Sequence, residues 1–113
     1  SIAFSPDGSR LCSASGEGSV KVWDVTSGKL EATFYGSGEP VHRALFSPDG
    51  KNVIFSGDDK IIRICDLASE AEIINLVGHT SPVWNIVLSP DGRKIVSGDL
   101  NGKIYIWDYP GEL

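Results

Sequence analysis

The chain contains no methionine and only two cysteines, Cys12 and Cys65, among its 113 residues. The two thiols lack the spacing of a metal site. Each lies in an apolar stretch, where a free cysteine packs as a small hydrophobe. So sparing a use of cysteine is expected of an intracellular chain, cytoplasmic or nuclear, because disulfides are rare there. No run of lysine or arginine is present, and the formal charge is −5. That balance repels a polyanion, so no nucleic-acid partner is expected. No apolar run is long enough to cross a bilayer and no signal peptide is visible, so no membrane role is expected. A nucleophile elbow of the G-x-S-x-G type is missing, as is a phosphate-cradling glycine loop. No catalytic, cofactor-binding or metal-ligating residue is therefore assigned, and the chain is not expected to be an enzyme. Nor does any segment hold a 3.6-residue apolar stripe, which argues against helices of ordinary length. The chain opens at Ser1 in mid-pattern and reads as a piece of a longer polypeptide.

What is present is repetition. Ser5-Pro6-Asp7-Gly8, Ser47-Pro48-Asp49-Gly50 and Ser89-Pro90-Asp91-Gly92 follow one another at a step of 42 residues. Trp23-Asp24, Cys65-Asp66 and Trp107-Asp108 keep the same step. An unbroken period of this length describes an array of like units, each burying its core against its neighbours.

Within each unit the apolar residues come in short runs with period-two stretches, which fits strands of about five residues. A first strand is expected at 2–4, 41–46 and 83–88. The S-P-D-G tetrapeptide then turns the chain, with proline presetting φ and glycine tolerating the exit. A second strand follows at 11–14, 53–56 and 95–97. Polar glycine- or aspartate-rich turns lead to a third, at 20–23, 62–65 and 104–107. Thr26-Ser27-Gly28 leads into a fourth strand at 29–34, and 72–77 is its counterpart. Four antiparallel strands per unit, apolar on both faces, suit a sheet held between two neighbouring sheets.

The tract Gly78-His79, Val83 to Leu88, Ser89-Pro90-Asp91-Gly92 and Ile104-Tyr105-Ile106-Trp107-Asp108 resembles a WD40 repeat. Glycine–histidine opens it and tryptophan–aspartate closes it, and the likeness extends over essentially the whole chain in three in-phase copies. The resemblance implies an all-β fold: a β-propeller segment of four-stranded antiparallel blades, with two blades plus three strands of a third. The blades would be 1–34 and 41–77, with an incomplete third at 83–108 and a tail from Tyr109 too short to finish it. The family also carries a buried hydrogen-bonded set of His, Ser or Thr, Asp and Trp. The His position is expected at Ser37 and His79, and the Ser/Thr position at Ser15, Gly57 and Asp99. The Asp position is expected at Glu17, Asp59 and Asn101, and the Trp position at Trp23, Cys65 and Trp107. On that assignment no unit holds the full set.

Two blades and three strands do not close a ring. The chain alone is expected to be marginal, to aggregate, or to be completed by the remaining blades, either from a parent chain or from other copies. His79 reads as a structural histidine, and Asp58 and Asp59 as turn residues. The resemblance implies that partners bind the loop-rich rim. Carried over residue by residue, the contact positions are Pro40, His42, Pro82, Trp84, Gly16, Asp58 and Leu100. Trp84 stands out, because the matching strand position in the preceding unit is His42, and a core position seldom exchanges the two. The expected function is a protein–protein interaction scaffold that binds a peptide or protein surface and needs no cofactor. The alternatives are a self-assembling structural piece of a larger complex and a regulatory domain fused to an enzyme.

Overall fold

The structure, a computed structural model, describes residues 1–109. The tail at 110–113 lies outside the described residues, and with it most of the segment expected to be too short to finish the third sheet. Among the described residues all regular structure is strand. β1 (Ile2–Phe4), β2 (Arg10–Ala14), β3 (Ser19–Asp24) and β4 (Leu30–Tyr35) form the first antiparallel sheet in that order. β5 (Val41–Phe46), β6 (Asn52–Gly57), β7 (Ile61–Asp66) and β8 (Glu72–Val77) form the second. β9 (Val83–Leu88), β10 (Lys94–Asp99) and β11 (Ile104–Asp108) form a three-stranded third. No helix among these residues is long and apolar enough to cross a membrane.

The S-P-D-G segments turn the chain by one mechanism three times. The Gly8 amide donates to the Ser5 carbonyl, Gly50 to Ser47 and Gly92 to Ser89, each at 2.9 Å. These glycines sit at φ of 71 to 75°, a left-handed conformation that costs a side-chain-bearing residue energy. Each aspartate gathers donors: Asp7 Oδ1 accepts from the Ser5 hydroxyl and the Ser9 amide, and Asp49 and Asp91 accept from the matching groups. The aspartates after the Trp or Cys mark do the same work one turn later, Asp24 accepting from the Ser27 amide and Asp66 from the Ser69 amide.

These contacts hold the carboxylates below their ordinary range. The Ser9 amide and hydroxyl, then the Ser5 hydroxyl, bring Asp7 from 3.8 to about 2. Asp24, Asp49, Asp66 and Asp91 move the same way through their serine and backbone donors. A carboxylate depressed in the folded state stabilises the fold above its unfolded value and loses that contribution as pH falls through the folded value. Melting temperature should therefore stay level from pH 7 to 5 and fall between about pH 4 and 2, as read by circular dichroism. A melting temperature unchanged at pH 3 would contradict this.

The second sheet lies between the other two, and the two seams differ in chemistry. In the first seam Cys12, Val20, Val22 and Phe34 meet Phe46, Val53, Phe55 and Cys65. Both cysteines are free and buried there, and burial pushes each thiol up to about 11. In the second seam Leu45, Ile54, Ile62 and Ile64 meet Ile86, Ile95 and Tyr109. Both outer faces are bare. On the first sheet Ile2 and Phe4 are exposed beside Trp23, and on the third Val87, Ile104 and Ile106 are exposed.

Candidate interaction site on the loop rim

Three of the sequence-predicted rim residues come together across two sheets. His42 stands second in β5, Trp84 second in β9, and Asp58 in the turn from β6 to β7. A bulge after Val41 breaks the ladder where His42 sits, and another between Gly98 and Asp99 does so opposite Trp84, so both side chains leave the ordinary alternation. The His42 and Trp84 ring centroids are 5.0 Å apart at 32°. His42 Nε2 and Asp58 Oδ1 are 2.6 Å apart, which fixes the imidazole from its other edge. Trp84 remains 55% exposed. The Pro40 carbonyl accepts from the Asp58 amide at 3.0 Å, and the Pro82 carbonyl accepts from the Leu100 amide at 2.9 Å, so both prolines brace the turns beside the cluster. Leu100 is an exposed apolar residue in the β10–β11 turn. Gly16 lies in the matching turn of the first sheet, between β2 and β3.

Beneath the rim the third unit contains the complete buried set, which corrects the sequence assignment. His79 Nε2 lies 2.6 Å from Ser97 Oγ, and His79 Nδ1 lies 2.9 Å from Asp99 Oδ2. The Trp107 indole donates to the same Ser97 oxygen at 2.8 Å. The Ser position is thus Ser97, not Asp99, and the Asp position is Asp99, not Asn101. By the same step the first unit has Ser13 and Ser15 at these places, not Ser15 and Glu17, and the second has Phe55 and Gly57, not Gly57 and Asp59. Trp23 donates to Ser13 at 3.2 Å, so the first unit keeps half the set. The second keeps none: Ser37, Phe55, Gly57 and Cys65 occupy the four places. A Cβ at Gly57 would collide with the Pro40 carbonyl oxygen, which bars an aspartate there. Asp59 instead pairs with Arg63, which also donates to Glu72. The signal that could have found the set is the ten-residue step from Ser13 to Trp23 and from Ser97 to Trp107.

Burial works to raise the Asp99 carboxyl, and donors from His79 and the Lys103 and Asn101 amides outweigh it, so the group lies below the ordinary carboxylate range. An acceptor-only carboxylate takes the Nδ1 proton of His79, and the Ser97 hydroxyl, already accepting from Trp107, turns its proton to Nε2. Ser, His and Asp in this order have the connectivity of a hydrolytic triad. Ser97, however, is buried inside the seam and its oxygen is taken by Trp107, so no carbonyl can reach it. The chain of bonds is a structural clamp. Gly78 belongs to it, since a Cβ there would come within 3.0 Å of the Trp107 ring.

The family model described as WD domain, G-beta repeat matches residues 1–24, 28–66 and 71–108. The chain belongs to the WD40 family. WD40 repeats generally serve as protein-interaction scaffolds. Periodic tryptophan protein 2 of Saccharomyces cerevisiae is 62% identical over 34 residues, which is 30% of this chain and 4% of that protein. This WD40 chain thus matches a small part of a much longer relative. Among the described residues no group of three or more His, Cys, Asp or Glu is arranged to hold a metal ion.

Proposed function

We propose that this WD40 segment is a non-catalytic scaffold that binds a peptide or protein surface through its loop rim, inside the cell, with Trp84 as the anchor. The supporting observation is a large aromatic that is half exposed yet held in place by His42, itself held by Asp58. An anchor held rigid before binding loses little entropy on association, and tryptophan is enriched among residues that dominate binding energy. Pro40, Pro82 and Leu100 form the surround in this reading, with Gly16 at its far margin. The sheets are taken as two blades, 1–34 and 41–77, and the first three strands of another, 83–108.

The test is a peptide display selection on the wild-type chain, read again on Trp84→Ala. Binding should fall at least tenfold, a loss of about 1.4 kcal/mol or more, while the melting temperature stays within a few degrees. Peptides that bind both chains equally would remove Trp84 as the anchor.

A second reading, self-assembly into a larger ring, is favoured by one observation: the bare apolar faces at both ends of the stack.

A further inference from the structure

The two seams are built from equivalent positions, yet one is filled at its lower edge and the other is open. In the second seam the Tyr109 ring is buried, and the buried Asn52 side chain donates to its hydroxyl at 2.9 Å. Ile74 packs against the same cluster. One repeat earlier the same places hold Leu67 for Tyr109, Arg10 for Asn52 and Ala32 for Ile74. The backbone is equivalent: the Leu67 amide donates to the Lys51 carbonyl at 2.9 Å, as the Tyr109 amide does to Arg93 at 2.7 Å. What differs is side-chain volume. Leu67 and Ala32 are smaller than Tyr109 and Ile74, and Arg10, though longer than Asn52, is engaged by Glu31. An open cleft of about 380 Å³ remains between the first two sheets, lined by Arg10, Ala32, Leu67, Gly50 and Lys51.

We propose that this cleft is a docking slot for a tyrosine side chain presented by a partner protein. The filled seam shows the shape and chemistry of the occupant, an aromatic ring with a hydroxyl at its tip. Arg10 stands in for Asn52 as the donor to that hydroxyl. Its Nε is engaged by Glu31 at 2.9 Å, and a guanidinium has further N–H groups to offer. The floor supplied by Ala32 and Leu67 is apolar. Around the cleft Arg10 and Lys51 face Glu31 and Asp66, so its charges balance and favour a neutral phenol over a phosphorylated one. The slot lies on the side of the S-P-D-G turns, away from Trp84, so the two sites are independent.

The test uses p-cresol, the tyrosine side chain without its backbone, titrated into the 15N-labelled chain. Saturable shifts are expected at the Ala32, Gly50 and Leu67 amides, with p-cresol binding at least fivefold tighter than toluene and no weaker than phenyl phosphate. Leu67→Tyr should plug the slot from within and weaken p-cresol at least tenfold while keeping the native spectrum elsewhere. Ala32→Ile should weaken it in the same direction by narrowing the floor. No saturable shift in the wild-type chain would overturn the proposal, as would toluene binding as well as p-cresol, or shifts confined to the rim around Trp84.

Discussion

Ser97→Ala is expected to destabilise the chain by about 2–4 kcal/mol, because it strands two buried polar groups that each cost roughly 1–3 kcal/mol when unpaired. The hydroxyl accepts the Trp107 indole proton and holds His79 Nε2, and the substitution removes both bonds at once. For a domain of this size the loss corresponds to a fall in melting temperature on the order of 10 °C. Ser13→Ala removes the same kind of bond, from Trp23, on the bare face of the first sheet. Water can replace that bond, so its cost should stay below about 1 kcal/mol. Urea unfolding of the two variants, followed by circular dichroism, measures the contrast directly. The slope of stability against urea should not change, since neither substitution alters the surface exposed on unfolding. Equal losses at the two serines would show that the clamp in the third unit contributes no more than an isolated surface bond.

The period and the turns were legible because they rest on local chemistry. Proline and glycine at set places in S-P-D-G fix the turn whatever lies around it, and β5, β8 and β9 fall where alternation and turn residues put them. Strand ends were less legible. β6 and β10 each run past the expected limits, from Asn52 to Gly57 and from Lys94 to Asp99, because the ladder continues into residues whose types suit a turn. That same misjudged end displaced the buried set by two positions. Asp99 looks like the start of a turn, but it is the last residue of β10, and a bulge beside it turns its carboxylate inward to His79. The second unit hid the error, since with Phe55, Gly57 and Cys65 it replaces the polar set by apolar packing and offers no third copy to align.

That unit also carries Lys60 at φ 72° and Glu70 at φ 59°, where the first unit has Gly18 and Gly28. Left-handed side-chain-bearing residues cost energy that glycine does not, so the middle sheet tolerates local strain while its two faces are both covered. Rim geometry was legible only in part. Residue types drew attention to Trp84 and His42 separately. Their stacking depends on how two sheets meet, which no spacing within one repeat encodes. The cleft beside Leu67 was not legible at all, since it exists only as a difference in volume between two seams.

A sharp contrast in burial lies at one repeated position. Val20 and Ile62 are fully buried by the sheet that follows each of them, whereas Ile104, one repeat later, is 70% exposed. Ile62→Ala should cost about 2–5 kcal/mol, the transfer of the lost methyl groups plus the cavity left behind. In a monomer Ile104→Ala should change stability by less than about 0.5 kcal/mol. If copies associate, the contact must join unlike faces, because the face of the first sheet bearing Ile2, Phe4 and Trp23 is the repeat equivalent of the face that the third sheet turns toward the second. Such a head-to-tail contact is heterologous, so it is broken equally by a charge on either side. Light scattering behind a sizing column should then show a mass that rises with concentration for the wild type, and a monomer for both Ile104→Lys and Phe4→Lys. A wild-type chain that stays monomeric at every concentration, with both variants unchanged, would remove the assembly reading and leave the rim as the surface through which this segment acts.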